Sequence, residues 1–251
     1  MPDLAIQPFK PRPAYQAIFA ELQRYIMSGI LKPGDPLPTE TDLAERFAVN
    51  RSTVRESIRQ LEAEGLVVRE SRKRLVVSVP SSGDLAPRVT RAMVMNEVTF
   101  QELVDVAMVL EPMAAEMAAH RATPAEISAL EDNLIELEQA IASGGDTVEV
   151  DLRFHALLAE CTHNRVLFLS REPVSLLLFR SFEVIRPRIA QASARNLTAH
   201  RHIVDLVKAG DAPGARRWME RHLKDFERGW ALAGMQPDAR IDPTITYEPD
   251  S

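Results

Sequence analysis

Four ionisable side chains in the second half of the sequence are spaced so that they could bind a metal ion. Asp151 and His155 are four residues apart in a stretch of helical periodicity, which places both on one helix face. His200 and His222 lie in two later stretches of helical character. One carboxylate and three imidazoles form a donor set suited to a divalent metal such as Zn²⁺ or Ni²⁺. The spacing alone leaves open a second interpretation, in which these histidines have capping and surface roles.

A second set of residues, at the start of a predicted helix, has the chemistry needed to contact DNA. Arg51 and Arg55 are four apart and share a helix face, and an arginine can bridge O6 and N7 of guanine. Asn50, Ser52 and Thr53 can donate hydrogen bonds to phosphates at the N-terminus of this helix. Taken alone, the arginines are also consistent with a solvated helix face.

A charged hairpin after this helix favours the DNA-binding interpretation. Leu66–Val68 and Leu75–Val77 are β-prone runs, and Arg72, Lys73 and Arg74 lie at the turn between them. Three consecutive like charges repel one another and do not help a turn to fold, whereas phosphates would neutralise them. A hairpin with a basic tip is the wing expected beside a DNA-reading helix pair.

Local signals place three helices before this hairpin. Apolar spacing predicts a first helix over about 15–27. Thr39 and Asp42 form a near match to a capping box that begins a second helix. Asn50 is placed to cap the third helix and Gly65 to end it. Together these elements predict a winged helix-turn-helix.

Composition and periodicity predict the domain boundaries. The winged helix-turn-helix domain is expected over residues 1–80, and the Ser- and Gly-containing segment 81–84 is interpreted as a linker. Residues 85–235 show helical periodicity without a competing β-pattern, which predicts an all-α antiparallel bundle. The tail, 236–251, contains three prolines and is predicted to be disordered. The expected fold class is therefore mainly α.

Helix-start signals within the second domain are specific. Thr99 and Glu102 form a capping box, and Thr123 followed by Pro124 repeats the signal. Later helices are predicted at about 148–161, 165–194 with a break near Pro173, 197–209 and 212–235.

Composition excludes several classes of protein. The 251 residues carry a net charge of −6, but residues 1–80 have a charge of +2 and the remainder −8. A basic module joined to an acidic one fits a DNA-binding domain attached to a domain of another function. No run of about 18 apolar residues and no secretory signal is found, so we expect a cytoplasmic protein with no membrane partner. The single cysteine, Cys161, excludes an internal disulfide, and its apolar surroundings predict a core position.

The segment from Leu37 to Leu66 resembles the DNA-binding domain of the GntR family of bacterial repressors. The family's run has Leu-Pro-Ser/Thr-Glu, a Leu-Ala pair, Val-Ser-Arg-x-Thr-Val-Arg-Glu, and then Leu and Glu-Gly-Leu. This sequence matches it at Leu37, Pro38, Thr39, Glu40, Leu43, Ala44, Val49, Arg51, Thr53, Val54, Arg55, Glu56, Leu61, Glu64, Gly65 and Leu66. The resemblance implies DNA contacts from Thr39, Arg51, Ser52, Thr53 and Arg55.

Two positions depart from this pattern. Asn50 replaces the usual Ser or Thr, which is a mild chemical change. The wing normally has a glycine, and Arg72 or Lys73 occupies its place. This departure therefore affects how the wing approaches the minor groove of the DNA.

The second domain resembles the helical effector domain of the FadR subgroup of this family, called FCD. The domain shows Asp-x-x-Phe-His, here Asp151 to His155, and then His-x-x-Ile, here beginning at His200. Its remaining marks are matched at Gly210, Asp211, Ala215 and Met219 to Leu223. The resemblance implies that a divalent metal, which can grip a carboxylate effector, is held by Asp151, His155, His200 and His222. Outside the pattern lie His120, His163 and His202.

One departure concerns the effector. The first helix of this domain usually carries an arginine that can face the cavity, and Ala107 stands in its place. An acidic effector would then pair with another residue or with the metal alone. The candidate arginines, which the sequence does not rank, are Arg153, Arg180, Arg186 and Arg188.

These features predict a ligand-responsive transcription regulator that represses a metabolic operon. One recognition helix reads only a few base pairs, so we expect a homodimer on a double-stranded operator. The expected effector is a small organic or sugar acid bound at the divalent metal. Three alternatives are a regulator for which the metal is the signal, a purely structural metal, and a metal-dependent hydrolase. The hydrolase is disfavoured because no general base pairs with the four ligands and an enzyme needs no recognition helix.

Overall fold

The computed structural model describes residues 12–71 and 74–241. Contacts between residues divide the chain into two compact units, Met1–Leu85 and Ala86–Ser251. Each unit has its own cluster of buried apolar side chains. Each therefore has the core that an independent domain requires.

The first unit contains three helices and a two-stranded hairpin. Its elements are α1 Ala14–Met27, α2 Glu40–Arg46, α3 Arg51–Ala63, β1 Val67–Ser71 and β2 Arg74–Val77. At the start of α2, the Thr39 hydroxyl accepts a hydrogen bond from the Asp42 N–H, and the Asp42 carboxylate accepts one from the Thr39 N–H. This capping box was predicted. Gly65, with φ of +72°, takes the left-handed conformation that ends α3.

The hairpin is antiparallel, and a preceding segment covers its outer edge. Val67 pairs with Val77 across the two strands. On the other side of β2, the Gly34 N–H donates to the Val77 carbonyl at 2.8 Å and the Leu37 N–H donates to the Leu75 carbonyl at 2.9 Å. These bonds occupy an edge that would otherwise be open to pairing. The hairpin and the helices share one core, which includes Ile18, Leu22, Leu43, Val54, Ile58, Leu61 and Val67.

Most of the segment expected to be a linker is helical. Helix α4 spans Ser82–Met95 and so includes three of the residues 81–84. Ser81 precedes the helix, and its N–H and hydroxyl donate to the Asp84 carboxylate at 2.7 and 2.6 Å. Serine and glycine together suggested a loop, but the Ser-x-x-Asp spacing is a helix-start signal of the kind that begins α2.

The second unit is a helical bundle. After α4 its elements are α5 Phe100–Arg121, α6 Pro124–Ser143, α7 Val148–Glu160, α8 Arg165–Arg180, α9 Phe182–Ile185, α10 Ala192–Ala209 and α11 Ala212–Leu232. The predicted capping boxes form at α5 and α6, where the Thr99 and Thr123 side chains accept backbone hydrogen bonds. Helix α5 packs against α7, α8, α10 and α11. Residues far apart in sequence thereby meet around α5.

The helix predicted over 165–194 is interrupted after Arg180 and not near Pro173. Pro173 is accommodated within α8, which continues to Arg180. The chain turns at Ser181, and α10 begins only at Ala192 after the short α9. A proline inside a helix removes one backbone donor, and burial of neighbours such as Val174 offsets that loss.

The segment after α11 packs onto the second unit as far as Ile241, which is buried. The Phe100 N–H donates to the Ala239 carbonyl at 3.0 Å. The first N–H groups of a helix have no partner within it, so this segment supplies acceptors that α5 needs. Residues 236–241 therefore belong to the folded unit, and the prediction of a disordered tail is wrong for them. Residues 242–251 lie outside the described residues.

Cys161 is a buried free thiol, which confirms its predicted core position. Burial, aided by the charge of Glu126, raises the pKa of Cys161 to about 12. The thiol is therefore protonated at neutral pH and unreactive.

The architecture confirms the predicted fold class, which is mainly α with an N-terminal winged helix-turn-helix and an all-helical second unit. In the part of the chain that the structure describes, no helix is both long and apolar enough to cross a membrane.

Candidate functional site

Helix α3 presents two arginines to solvent beside a carboxylate from α2. The Arg51 and Arg55 side chains are 61% and 51% exposed. Arg55 Nη2 lies 3.0 Å from Glu40 Oε2, and Arg51 Nη2 lies 3.9 Å from the same oxygen. The hydrogen bond from Arg55, which outweighs partial burial, lowers the pKa of Glu40. An ionised Glu40 therefore holds both guanidinium groups side by side on the exposed face of α3.

The polar residues predicted to contact phosphates lie around the start of the same helix. Asn50 and Ser52 are exposed and Thr53 is half-buried. Asn50 occupies the N-cap position, but its side chain makes no capping hydrogen bond, so the cap predicted for it is not formed. The Thr39 hydroxyl is engaged with Asp42, donating to its carboxylate at 2.8 Å and accepting from its N–H at 3.2 Å. Thr39 thus has a structural role in α2, and its contact with DNA remains a prediction.

The hairpin tip carries the third part of the predicted DNA-binding surface. Arg74 is exposed, and its Nε lies 3.2 Å from Glu70 Oε2. Exposed ion pairs of this kind contribute about 0–1 kcal/mol to stability. Replacing this pair by a contact with a DNA phosphate would therefore cost little free energy. Arg72 and Lys73 lie outside the described residues.

Three helices of the second unit bring three histidines together in the core. His155 on α7, His200 on α10 and His222 on α11 each offer a ring nitrogen, and these nitrogens lie within 4.8 Å of one another. We call these residues the histidine cluster. All three side chains are buried. The three histidines singled out from the sequence therefore converge.

The cluster contains polar nitrogens that lack partners. Among the described residues, His155 Nε2, both ring nitrogens of His200, and His222 Nε2 are buried and make no hydrogen bond. An unpaired polar group in a core costs about 1–3 kcal/mol of stability, so this set of unpaired ring nitrogens requires an explanation. Burial and the neighbouring imidazoles lower the pKa of His200 and lower that of His222 to about 3. Neutral rings with converging free lone pairs fit a divalent metal ion.

Aromatic side chains hold two of these rings in place. Phe154 stacks on His200 with ring centroids 3.6 Å apart, and Phe179 stacks on His155 at 3.7 Å. Both phenylalanines are fully buried. Such apolar walls restrict ring rotation and exclude water, which keeps the nitrogens in one geometry.

Asp151 lies beside the cluster, one turn before His155 on α7. Its Oδ1 is 3.4 Å from His200 Nε2 and accepts a hydrogen bond from Asn196 Nδ2. Burial raises the pKa of Asp151, against the effect of His155 and Asn196. The contact with His200 is not a hydrogen bond, so it leaves that nitrogen unpaired. All four predicted ligands are thus brought to one place, with Asp151 at the edge of the group.

A buried carboxylate supports His155 from the side away from the cluster. Glu111 Oε2 on α5 lies 3.1 Å from His155 Nδ1, while Oε1 accepts from Arg171 Nε at 2.7 Å and Ser175 Oγ at 2.6 Å. Burial would raise the pKa of Glu111, but the Arg171 charge and the His155 and Ser175 hydrogen bonds hold it well below its usual range. An ionised Glu111 keeps a proton on Nδ1 and leaves the Nε2 lone pair for the cluster.

These supporting residues were not identified from the sequence. Asn196 lies four residues before His200, so the helical spacing that paired Asp151 with His155 was also available for it. Glu111 interrupts a largely apolar, alanine-rich helix, and a carboxylate in such a setting signals a buried partner. The local sequence around Arg171 gives no sign that this residue is the buried partner of Glu111.

Two family models match the chain, one in each unit. The model described as bacterial regulatory proteins, gntR family, matches residues 14–77, and the FCD domain matches 102–225. The transcriptional regulator LutR of Bacillus subtilis is 31% identical over 206 residues, which cover 80% of this chain and 94% of LutR. The Uxu operon regulator of Haemophilus influenzae is 32% identical over 218 residues, which cover 85% of this chain and 80% of that protein. The chain belongs to the GntR family of bacterial transcriptional regulators.

A solved structure agrees with this assignment. The Streptococcus agalactiae GntR structure superposes with a TM-score of 0.62 at 26% identity and covers 85% of this chain and 99% of that one. As a GntR-family member with an FCD domain, the chain is a DNA-binding transcription regulator. Its relatives are regulators and not enzymes, which removes the hydrolase interpretation. The resemblance drawn from the sequence is confirmed in both domains.

This GntR-family chain has Ala107 where an arginine was expected, and that alanine is buried in α5. The four arginines named as possible substitutes do not line the space beside the histidine cluster. They are engaged elsewhere, Arg153 with Glu136, Arg180 with Glu149, Arg186 with the Gly145 carbonyl and Arg188 with the Val184 carbonyl. Arg195, which sequence reasoning missed, does line this space.

A small cavity and a larger surface groove both lie against His222. The cavity's polar lining comes from Arg195, Asn196, His222 and Asp225. The space open to the centre of a water molecule is about 20 Å³, little more than one molecule needs. By the same measure the groove holds about 410 Å³, and it shares Arg195, His222 and Asp225 with the cavity. The groove and the cavity therefore both border the His222 side chain at the edge of the cluster.

Proposed function

We propose that this GntR-family protein represses a metabolic operon as a homodimer and releases its operator when a small carboxylic acid binds the second unit. The acid is held at a divalent metal, Zn²⁺ or Ni²⁺, in the histidine cluster. The observation that carries the proposal is the convergence of three buried imidazoles whose nitrogens have no partner among the described residues. The metal ligands are Asp151, His155, His200 and His222.

In this proposal, the second unit holds the side chains of the site in position before the metal or the effector binds. A bound metal supplies a Lewis acid that attracts a carboxylate oxygen. Glu111 sets the tautomer of His155, and Asn196 orients the Asp151 carboxylate by donating to it. Phe154 and Phe179 keep water away from the rings that they stack on. Because these groups are already placed, binding costs little reorganisation.

The DNA-binding half of the proposal rests on the exposed face of α3. Arg51 and Arg55 read base edges in the major groove. Contacts to the backbone come from Thr39, Asn50, Ser52, Thr53, Arg72, Lys73 and Arg74. Two copies of this surface, related by a two-fold axis, require a near-palindromic operator with half-sites about one turn apart or closer.

Two other uses of the same metal predict different behaviour. If the metal is the signal, removing it with a chelator changes operator affinity without any acid. If the metal is purely structural, a chelator lowers stability, but an acid that acts elsewhere still releases the operator. Our proposal requires both the metal and the acid for release.

Operator binding by fluorescence anisotropy tests the proposal. The full chain, loaded with Zn²⁺ or treated with EDTA, is titrated with operator in the presence of a panel of small organic and sugar acids. We expect an acid to weaken operator binding of the Zn²⁺-loaded chain only. An equal response after EDTA treatment contradicts the metal's role. Light scattering that shows a monomer at all micromolar concentrations, with and without operator, contradicts the homodimer.

A further inference from the structure

The surface groove between α10 and α11 carries an excess of positive charge next to the histidine cluster. Its lining contains four cationic side chains and one carboxylate, namely Arg195, Arg221, Lys224, Arg228 and Asp225. The carboxylate is paired with Arg195. A concave site with a surplus of cations raises the local concentration of anions and speeds their entry.

Arg195 connects this groove to the histidine cluster. It lines both the groove and the cavity beside His222. The next residue, Asn196, is buried and donates to Asp151 at the edge of the cluster. Asp225 lies three residues after His222, so it faces the same space from α11. A small molecule at this place would meet the cluster at one end and Arg195 at the other.

We infer that the groove is a second subsite for the effector and that Arg195 binds a second anionic group there, in place of Asp225. The inference rests on the proposed function, in which the first carboxylate meets the metal. The effector class is then a small organic diacid. The space around Arg195 also has apolar lining, from Phe182, Ile185 and Phe226 in the cavity and from Trp218 in the larger groove, and the groove has room for a short carbon chain.

The Arg195–Asp225 pair has the properties of a replaceable contact. The two side chains are 36% and 39% exposed, so their ion pair is partly screened by water and its loss costs little. Arginine presents a planar fork of donors that matches a carboxylate from either source. Without effector, Asp225 neutralises Arg195. With effector, the second carboxylate takes its place and Asp225 turns to solvent or to the neighbouring Lys224.

Isothermal titration calorimetry on the full, Zn²⁺-loaded chain tests this inference with acids matched in carbon number. The pairs are malonate and propionate, succinate and butyrate, and glutarate and pentanoate. We expect at least one diacid to bind about tenfold or more tightly than its partner, since a hydrogen bond between an arginine and a carboxylate is about twice as strong as one between neutral groups. Arg195→Gln should abolish this advantage.

Two further variants separate an effector contact from a structural ion pair. Arg201→Gln is the matched control, because Arg201 lies on the same helix, is about half-exposed, and pairs with Glu138 outside the groove. It should keep the advantage of the diacid. Asp225→Asn removes the competing carboxylate and should tighten diacid binding several-fold. A purely structural pair predicts that both Arg195→Gln and Asp225→Asn lower the melting temperature and that neither changes the preference between acids.

Failure of the inference can be told apart from failure of the proposed function. A wild-type chain that binds diacids and monoacids equally, or a folded Arg195→Gln that keeps the advantage, overturns the role of Arg195 and leaves the metal-bound carboxylate intact. A diacid advantage that depends on Arg195 but persists after EDTA supports the inference and contradicts the metal's role. If none of the six acids binds the Zn²⁺-loaded chain, the diacid inference is contradicted, whereas the metal-bound carboxylate is contradicted only if the wider panel of organic and sugar acids also fails to bind.

Discussion

The arginines of α3 and the histidine cluster place polar groups in opposite environments. Arg51 and Arg55 are exposed and share a carboxylate, Glu40, so their pairing can be exchanged for DNA at small cost. His200 and the other cluster rings are buried, and several of their nitrogens have no hydrogen-bond partner among the described residues. The arginines therefore have a charged partner before DNA binds, whereas nitrogens of the cluster lack a hydrogen-bond partner among the described residues.

This difference separates two ways of binding. An exposed cationic face gains affinity from many small contacts, each weakened by salt. A buried donor set gains it from a few strong bonds whose geometry the core already holds. Single substitutions should therefore have larger effects in the cluster than on α3, and larger effects on α3 than on the wing.

The largest effect is expected for His200→Ala. It removes a ring of the cluster, and because changes behind a metal ligand already cost about 10–100-fold, Zn²⁺ affinity should fall at least about 100-fold. Competition with a coloured chelator measures this. The control is His202→Ala on the same helix, since His202 stacks on Trp218 outside the cluster. Operator binding without effector should survive in both. Equal Zn²⁺ affinity in the two variants would show that the cluster is not the metal site.

The next effect is expected for Glu111→Gln. Loss of the carboxylate behind His155 should weaken Zn²⁺ binding about 10–100-fold. The free energy of unfolding should fall by about 2 kcal/mol, because buried Arg171 loses one of its two carboxylates. Urea unfolding measures the second effect. Glu172→Gln, which touches Arg171 but is not hydrogen-bonded to His155, should leave Zn²⁺ affinity unchanged. Equal losses of Zn²⁺ affinity in both variants would argue against a specific role for Glu111.

Substitutions on α3 should have intermediate effects. Arg51→Ala and Arg55→Ala should each cost about 1–3 kcal/mol of operator affinity and relax the choice of base. Anisotropy with the operator and with single-base variants of it measures both quantities. Arg59→Ala is the control, because Arg59 lies one turn further along α3 and pairs with Glu56. Wild-type affinity in both test variants would mean that α3 is not the recognition helix.

The smallest effect is expected at the wing. Arg74→Ala should weaken binding to all DNA sequences alike and reduce the slope of log affinity against log salt by about 1. Arg24→Ala on α1, where Arg24 pairs with Glu21, is the control and should leave the slope unchanged. A loss confined to one operator sequence would assign Arg74 to base reading instead of phosphate contact.

Most of the fold could be predicted because its signals are local. The capping threonines at positions 39, 99 and 123 act on residues three positions away, and Gly65 acts on its own backbone. Two of the errors fall where distant packing decides. Pro173 remains inside a helix because the core around it outweighs one lost donor, and residues 236–241 become ordered against the start of α5.

The candidate site could be predicted only in part. The four-residue spacing of Asp151 and His155, with the family pattern around His200 and His222, indicated the possible ligands. The groups that support them come from other helices, with Glu111 bonded to residues 60 and 64 positions away. Arg195 likewise meets a carboxylate 30 positions away. No spacing rule relates such positions, because only the packing of the bundle brings them together.

The most direct test of the central claim is the metal content of the purified full chain. The protein is dialysed against excess Zn²⁺, then against metal-free buffer, and analysed for metal per chain together with His155→Ala/His200→Ala. We expect about one Zn²⁺ per wild-type chain, as a single site of this kind binds, and little in the double variant despite a retained helical circular dichroism spectrum. Wild-type chain without stoichiometric metal after this treatment would contradict the claim that the histidine cluster is a metal centre.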